Sequence, residues 1–160
     1  MFLALIVILP GCSSKKTIGP ITSGFSCDAY VTYGKMDIVC NIAITTSGIF
    51  TAKITEPAIL NGMEFIWNGN EFELTYMGIK TDLDKSALPS SDFIVAIRNI
   101  FADVGSNSTQ VELKSKDYLL EGQSELGDYS LYFRADGFPI ELSVPSIDLE
   151  GKFENIKYAF

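Results

Sequence analysis

The sequence predicts a mainly β, α+β domain: an antiparallel sheet of about ten strands, with one amphipathic helix inserted at about residues 90–104. Three observations predict it. From Phe25 onward apolar and polar residues alternate with period two, as a strand with one buried face requires. Turn residues interrupt the alternation roughly every eight to twelve positions, the spacing of consecutive hairpins. One stretch alone changes to helical spacing. A sheet with a single apolar face cannot stand in water by itself, and the helix stripe is its natural lid.

Three hairpins can be registered. The first joins 24–32 to 35–45 across Tyr33 and Gly34, setting Val31 against Met36, Ala29 against Ile38, Cys27 against Cys40 and Phe25 against Ile42. Counted from the Thr32–Lys35 closing pair, the two cysteines fall at a non-hydrogen-bonded site, where side chains approach most closely. A cross-strand disulfide is geometrically open there, with two buried thiols serving as small hydrophobes as the alternative. The second hairpin turns at Asn68-Gly69, a strong turn signal. It sets Phe65 against Phe72, Met63 against Leu74 and, on the outer face, Glu64 against Glu73. The third turns at Asp136-Gly137, setting Phe133 against Ile140, Leu131 against Leu142 and Tyr129 against Val144. Further strands are expected at 48–55, 109–114, 117–125 and 152–159.

The helix follows Leu88-Pro89. Phe93, Ile94, Ile97, Ile100, Phe101 and Val104 recur at the spacing of one helical face. Ser90 or Ser91 can cap its start, Asp92 suits the positive helix terminus, and Gly105 can take a left-handed C-cap.

Composition narrows the function. With 47% hydrophobic residues the chain can build a core. A net charge of −8 argues against nucleic-acid binding, since no basic patch could neutralise a run of phosphates. Histidine is absent, which removes the commonest general base and the commonest zinc ligand. Asp82, Asp84 and Asp92 form the densest acidic group but lack the glycine and terminal glutamate of a calcium loop. Glu121 and Glu125 are read as like-facing on one strand, a weak glycosidase signal in so acidic a chain. No serine sits in a nucleophile elbow. These observations point to no catalytic residues, no metal and no cofactor.

The first dozen residues say where the protein works. An apolar run, Phe2 to Leu9, ends in Pro10, Gly11 and Cys12, followed by Ser13, Ser14, Lys15 and Lys16. The run suits a signal-peptide core and is far too short to span a bilayer. It resembles the lipobox of bacterial lipoproteins, which implies that Cys12 carries a diacylglycerol. The alternative is an apolar N-terminal stretch with an incidental cysteine. The domain reading is therefore a signal peptide at 1–11, lipidated Cys12 and a flexible tether over 12–23, and one β domain over 24–160. Export implies anchoring to the outer face of the cytoplasmic membrane or elsewhere in the cell envelope.

A lipobox, a tether, a long antiparallel meander, an inserted helix and a closing set of strands together resemble the LolA/LolB-like lipoproteins and lipoprotein carriers. The stretches TAKITEP at 51–57, LNGMEFIWNG at 60–69, FELTYMG at 72–78 and DGFPIEL at 136–142 are similar to that group's strand–Pro–strand and hairpin elements. The resemblance implies a sheet curled into a half-barrel with helical structure over its mouth. An anchored chain is closer to the group's receptor variety than to its soluble carrier. A small, acidic, two-cysteine chain is also similar to uncharacterised lipoproteins of Gram-positive bacteria.

The function expected is non-catalytic binding of a hydrophobic ligand, an acyl chain or lipid, between curved sheet and helix. Candidate lining residues are Phe65, Trp67, Phe72, Leu74, Tyr76, Phe93, Ile97, Phe101, Leu131, Phe133, Ile140 and Leu142. The alternative is an interaction lipoprotein with a filled core that binds an envelope protein partner.

Overall fold

Alternating burial runs along the strands at the middle of the sheet. Phe25, Cys27, Ala29 and Val31 are buried on one strand, Ile38, Cys40 and Ile42 on the next, and Phe50, Ala52 and Ile54 on a third. The computed structural model describes residues 15–18, 24–83, 92–106 and 109–158. Among them are twelve strands: β1 (Lys15–Ile18), β2 (Phe25–Tyr33), β3 (Met36–Ile44), β4 (Phe50–Glu56), β5 (Glu64–Trp67), β6 (Phe72–Tyr76), β7 (Ile79–Leu83), β8 (Thr109–Lys114), β9 (Asp117–Ser124), β10 (Gly127–Phe133), β11 (Pro139–Val144) and β12 (Leu149–Tyr158). Helix α1 (Phe93–Ser106) stands between β7 and β8.

All twelve strands form one antiparallel, open, curved sheet in the order β1-β8-β9-β10-β11-β12-β2-β3-β4-β5-β6-β7. Two meanders, β2 to β7 and β8 to β12, meet where β12 pairs with β2. The buried stripe of α1 joins the inner face in a single apolar cluster. Phe101 touches Phe25 and Phe153, with ring centroids 6.1 and 5.1 Å apart, and Phe93 touches Tyr33 at 5.9 Å. The expected half-barrel with a helix over its concave face is the architecture observed, with two more strands than the ten expected.

The additional strands are β1 and β7, the two sheet edges. Residues 15–18 lie inside the expected flexible tether, yet their backbone pairs with Thr109–Glu112 of β8. Strand β7 follows a tight turn at Met77 and Gly78, both at positive φ (51° and 79°), the conformation a two-residue hairpin favours. The leader, Cys12, Asp84 and the serines at 90 and 91 lie outside the described residues.

Two registers differ from expectation by two residues. Gly34 occupies the first central position of its turn at φ 59°, so Tyr33 pairs with Met36, Ala29 with Cys40, and Cys27 with Ile42. The cysteines therefore stand diagonally on one face, and both are free, buried thiols. Burial pushes each thiol up to about 12. In the second hairpin the Asn68 side chain accepts hydrogen bonds from the backbone N–H groups of Asn70 and Glu71, opening a four-residue loop. Trp67 then pairs with Phe72 and Phe65 with Leu74, and the expected Glu64–Glu73 opposition disappears. Glu73 instead meets Lys80 of β7 at 2.6 Å.

The third hairpin keeps Leu131 against Leu142, but a bulge between Tyr132 and Phe133 sets Phe133 against Pro139 rather than Ile140. Asp92 is the cap of α1: its Oδ1 accepts from the Ile94 N–H at 2.9 Å, and its carbonyl accepts from the Ala96 N–H. Gly105 lies inside the last helical turn, not at a left-handed C-cap. Glu121 is on β9 but Glu125 lies in the turn beyond it, so the two do not share a strand.

Candidate functional site: a cavity beneath the helix

The two ends of α1 meet different surroundings. In its first turns Ile94 and Ile97 are at 0% exposure. Beneath its C-terminal half lies a cavity of about 440 Å³. The floor comes from one end of the sheet: Phe25 at the start of β2, Ile44 at the end of β3, Phe50 at the start of β4, Trp67 at the end of β5, Leu131 and Phe133 on β10, and Pro139. The roof is Arg98, Phe101, Ala102, Val104 and Gly105 of α1. The size falls within the range typical of small-ligand sites, and the lining is mostly aromatic and aliphatic, as such sites usually are.

The rim is made of turns held by their own hydrogen bonds. In the loop between β3 and β4, the Thr45 N–H donates to the Ile49 carbonyl and the Gly48 N–H to the Thr45 carbonyl, both at 2.9 Å. The Thr45 hydroxyl also accepts from the Ile49 N–H at 3.0 Å. Gly48, at φ 82°, lets that loop close on itself. Thr45, Thr46, Gly48 and Gly69 thus bring the rim's polar atoms to the cavity edge.

Among the described residues Arg98 is the only charged side chain on the lining. Its guanidinium stacks on the Trp67 ring, 4.2 Å from the centroid. Its Nη1 donates to Asn99 Oδ1 at 2.7 Å. Partial burial draws its pKa down from the ordinary arginine value, though a guanidinium stays charged in proteins. On its other flank Arg98 borders a polar cleft with Asp103, Gln123, Glu125 and Tyr129. Burial, and then the charge of Asp103, push the Tyr129 phenol up.

Of the twelve candidates from the sequence, the structure brings Trp67, Phe101, Leu131 and Phe133 together on this lining. Phe65, Phe72, Phe93, Ile97 and Leu142 are buried in the filled part of the core. Leu74, Tyr76 and Ile140 are partly buried, and the Tyr76 hydroxyl donates to the Ile59 carbonyl. Phe25, Phe50 and Arg98 were absent from the expected lining. Phe25 and Phe50 are large aromatics at strand ends, a signal that sequence carries. Arg98 sits on the flank of the helix stripe, where a charge reads as solvent-facing.

Among the described residues no polar or charged side chain is fully buried, and every buried side-chain N or O has a partner. No group of three metal-binding side chains occurs among them. No described helix is long and apolar enough to cross a membrane.

No protein-family profile matches the chain, and no curated protein matches it in sequence. Solved structures do. An uncharacterized conserved protein from Thermus thermophilus aligns over 87% of this chain and 80% of its own, at 10% identity and a TM-score of 0.56. A LolA superfamily protein from Nitrosomonas europaea covers 88% of each chain at 10% identity and a TM-score of 0.45. A DUF1329 family protein from Desulfovibrio piger covers 86% of each at 12% identity and a TM-score of 0.43. The likeness to the Thermus protein is one of fold.

Proposed function

We propose that the protein is an envelope lipoprotein, anchored through Cys12, that holds an acyl chain or other hydrophobic ligand between its curved sheet and α1 without catalysing a reaction. One observation carries the reading: a cavity of about 440 Å³ with an aromatic and aliphatic lining lies between the sheet and the C-terminal half of α1. A fold that needed only a filled core would close that space, because unfilled apolar volume costs stability. The apolar run ending at Cys12 supports the anchor.

The test is native mass spectrometry with lipid extraction on the mature chain from Cys12, carrying Cys12→Ser and purified from bacteria without detergent. A stoichiometric adduct of lipid mass is expected. A clean apoprotein that also ignores a panel of fluorescent fatty acids would refute the reading.

A second reading, docking of an envelope protein partner, has its own observation. Ile59, Met77 and Ile79 stand 78%, 81% and 71% exposed near one sheet edge. Under that reading the partner binds there and the cavity is incidental, so Met77→Asp would abolish partner capture without touching any lipid adduct.

A further inference from the structure

The charge on the cavity lining has the opposite sign to the protein as a whole. The chain carries 20 acidic side chains against 12 basic ones, yet among the described residues the lining holds one arginine and no carboxylate. Among the described residues no carboxylate forms an ion pair with Arg98; the ion pairs present are those of Lys80, Lys114 and Arg134. Asp103 and Glu125 line the polar cleft on its far flank, not the apolar cavity. A cation drawn partly out of water without a counter-charge is unfavourable. The Trp67 ring face offsets part of that cost and fixes the guanidinium plane. A stacked guanidinium still presents its N–H edge, and of its five N–H donors one is taken by Asn99. That edge matches a carboxylate or phosphate in two-pronged fashion.

We propose that the cavity selects single-tailed amphiphiles with an anionic head: the tail lies among Phe25, Phe50, Phe101, Leu131 and Phe133, and the Arg98 guanidinium, held flat on Trp67, takes the carboxylate or phosphate. The inference rests on the hydrophobic-ligand reading and names the chemical class of its ligand. The tail supplies affinity through apolar burial, which does not discriminate between heads. Arg98 supplies the discrimination, because an uncharged head leaves the guanidinium without its counter-charge.

The experiment compares dodecanoate, dodecyl phosphate, dodecanol and dodecyltrimethylammonium, each below its micelle concentration. Binding to the mature Cys12→Ser chain is followed by calorimetry and by emission of Trp67, the chain's one tryptophan. Dodecanoate or dodecyl phosphate should bind about tenfold or more tightly than dodecanol, and the cationic amphiphile more weakly than dodecanol. The order of the two anions tells a fatty-acid head from a phospholipid-like one. Arg98→Gln should bring the anions down to the level at which the same variant binds dodecanol, and Arg98→Lys should restore part of the preference. Equal wild-type binding of anion and alcohol overturns the head-group assignment and leaves the hydrophobic-ligand reading standing. An anion preference that survives Arg98→Gln does the same. Failure of all four probes to bind overturns both. Should Arg98→Gln not fold, the wild-type ranking and Arg98→Lys decide the matter alone.

Discussion

Replacing Gly122 by alanine gives a test whose sign depends on where one ring sits. Gly122 lies on β9 directly opposite Tyr129 of β10. A β-carbon there would stand 2.3 Å from Tyr129 Cζ, 2.5 Å from its hydroxyl oxygen and 2.7 Å from Cε1. All three distances are far inside van der Waals contact, so the ring must leave its seat. Gly122 is not at positive φ, and alanine there would otherwise stabilise the fold by about 0.4–1 kcal/mol through the unfolded chain. Overpacking opposes that gain by about 1–3 kcal/mol. Tyr129 borders open clefts on this flank and can swing into them, which favours the lower half of that range. The net expectation is a loss of about 1 kcal/mol, read from urea unfolding at neutral pH. In a Tyr129→Ala background the same Gly122→Ala change should become neutral or stabilising, a coupling that a double-mutant cycle isolates. Stabilisation by Gly122→Ala in the wild-type background would refute the ring placement.

Further outcomes are expected at the two thiols, at Asp28 and along the helix stripe. Cys27 and Cys40, held as thiols up to about 12, should resist iodoacetamide at pH 8 in the native state and both react once unfolded in urea. Because the folded thiols keep protons that the unfolded ones release, stability should fall as pH rises from about 9 towards 12, by at most about 1.4 kcal/mol per pH unit for each thiol. Asp28 is held below the usual carboxylate range by hydrogen bonds from Asn155 and then Asn41. Its contribution is thus complete above the unfolded value and is lost as pH falls through the folded one, so Asp28→Asn should flatten the acid limb of a stability-versus-pH curve. Phe101→Asp should abolish the lipid adduct and retain the far-ultraviolet circular dichroism of the sheet, since the residue faces the cavity. Ile97→Ala, at a fully buried position off the cavity lining, should instead cost about 2–5 kcal/mol.

The sheet, its turns and the helix are legible in the sequence because period two, period 3.6 and turn residues are local signals. Register is less so. A one-residue slip turns every side chain over, but a two-residue slip keeps Phe25, Cys27, Ala29 and Val31 on the same face. Apolar pairing therefore cannot tell Cys27 opposite Cys40 from Cys27 opposite Ile42. The turn decides: a glycine at the first central position shifts the count, and an asparagine side chain that caps its own loop lengthens it. The cavity is legible only in part. Leu131 and Phe133 belong to the alternating face. Thr45, Gly48 and Gly69 come from turns whose convergence depends on the sheet's curvature, a long-range property. Arg98 is the hardest case, because a helical pattern gives no reason for a flanking charge to meet a tryptophan more than thirty residues away in sequence.

The pairing of β12 with β2 has a consequence for the order of folding. It sets Leu149 beside Tyr33 and Tyr158 beside Phe25, so the middle of the sheet is a seam between residues more than a hundred positions apart. Each meander can form from neighbours in the chain, whereas the seam must close a loop nearly as long as the domain, the slowest kind of contact to make. Until then β2 is a bare edge with an apolar face, open to wrong partners. A chain emerging N-terminus first cannot zip that seam before β12 is free, so truncation after Asp148 would leave the two meanders unjoined.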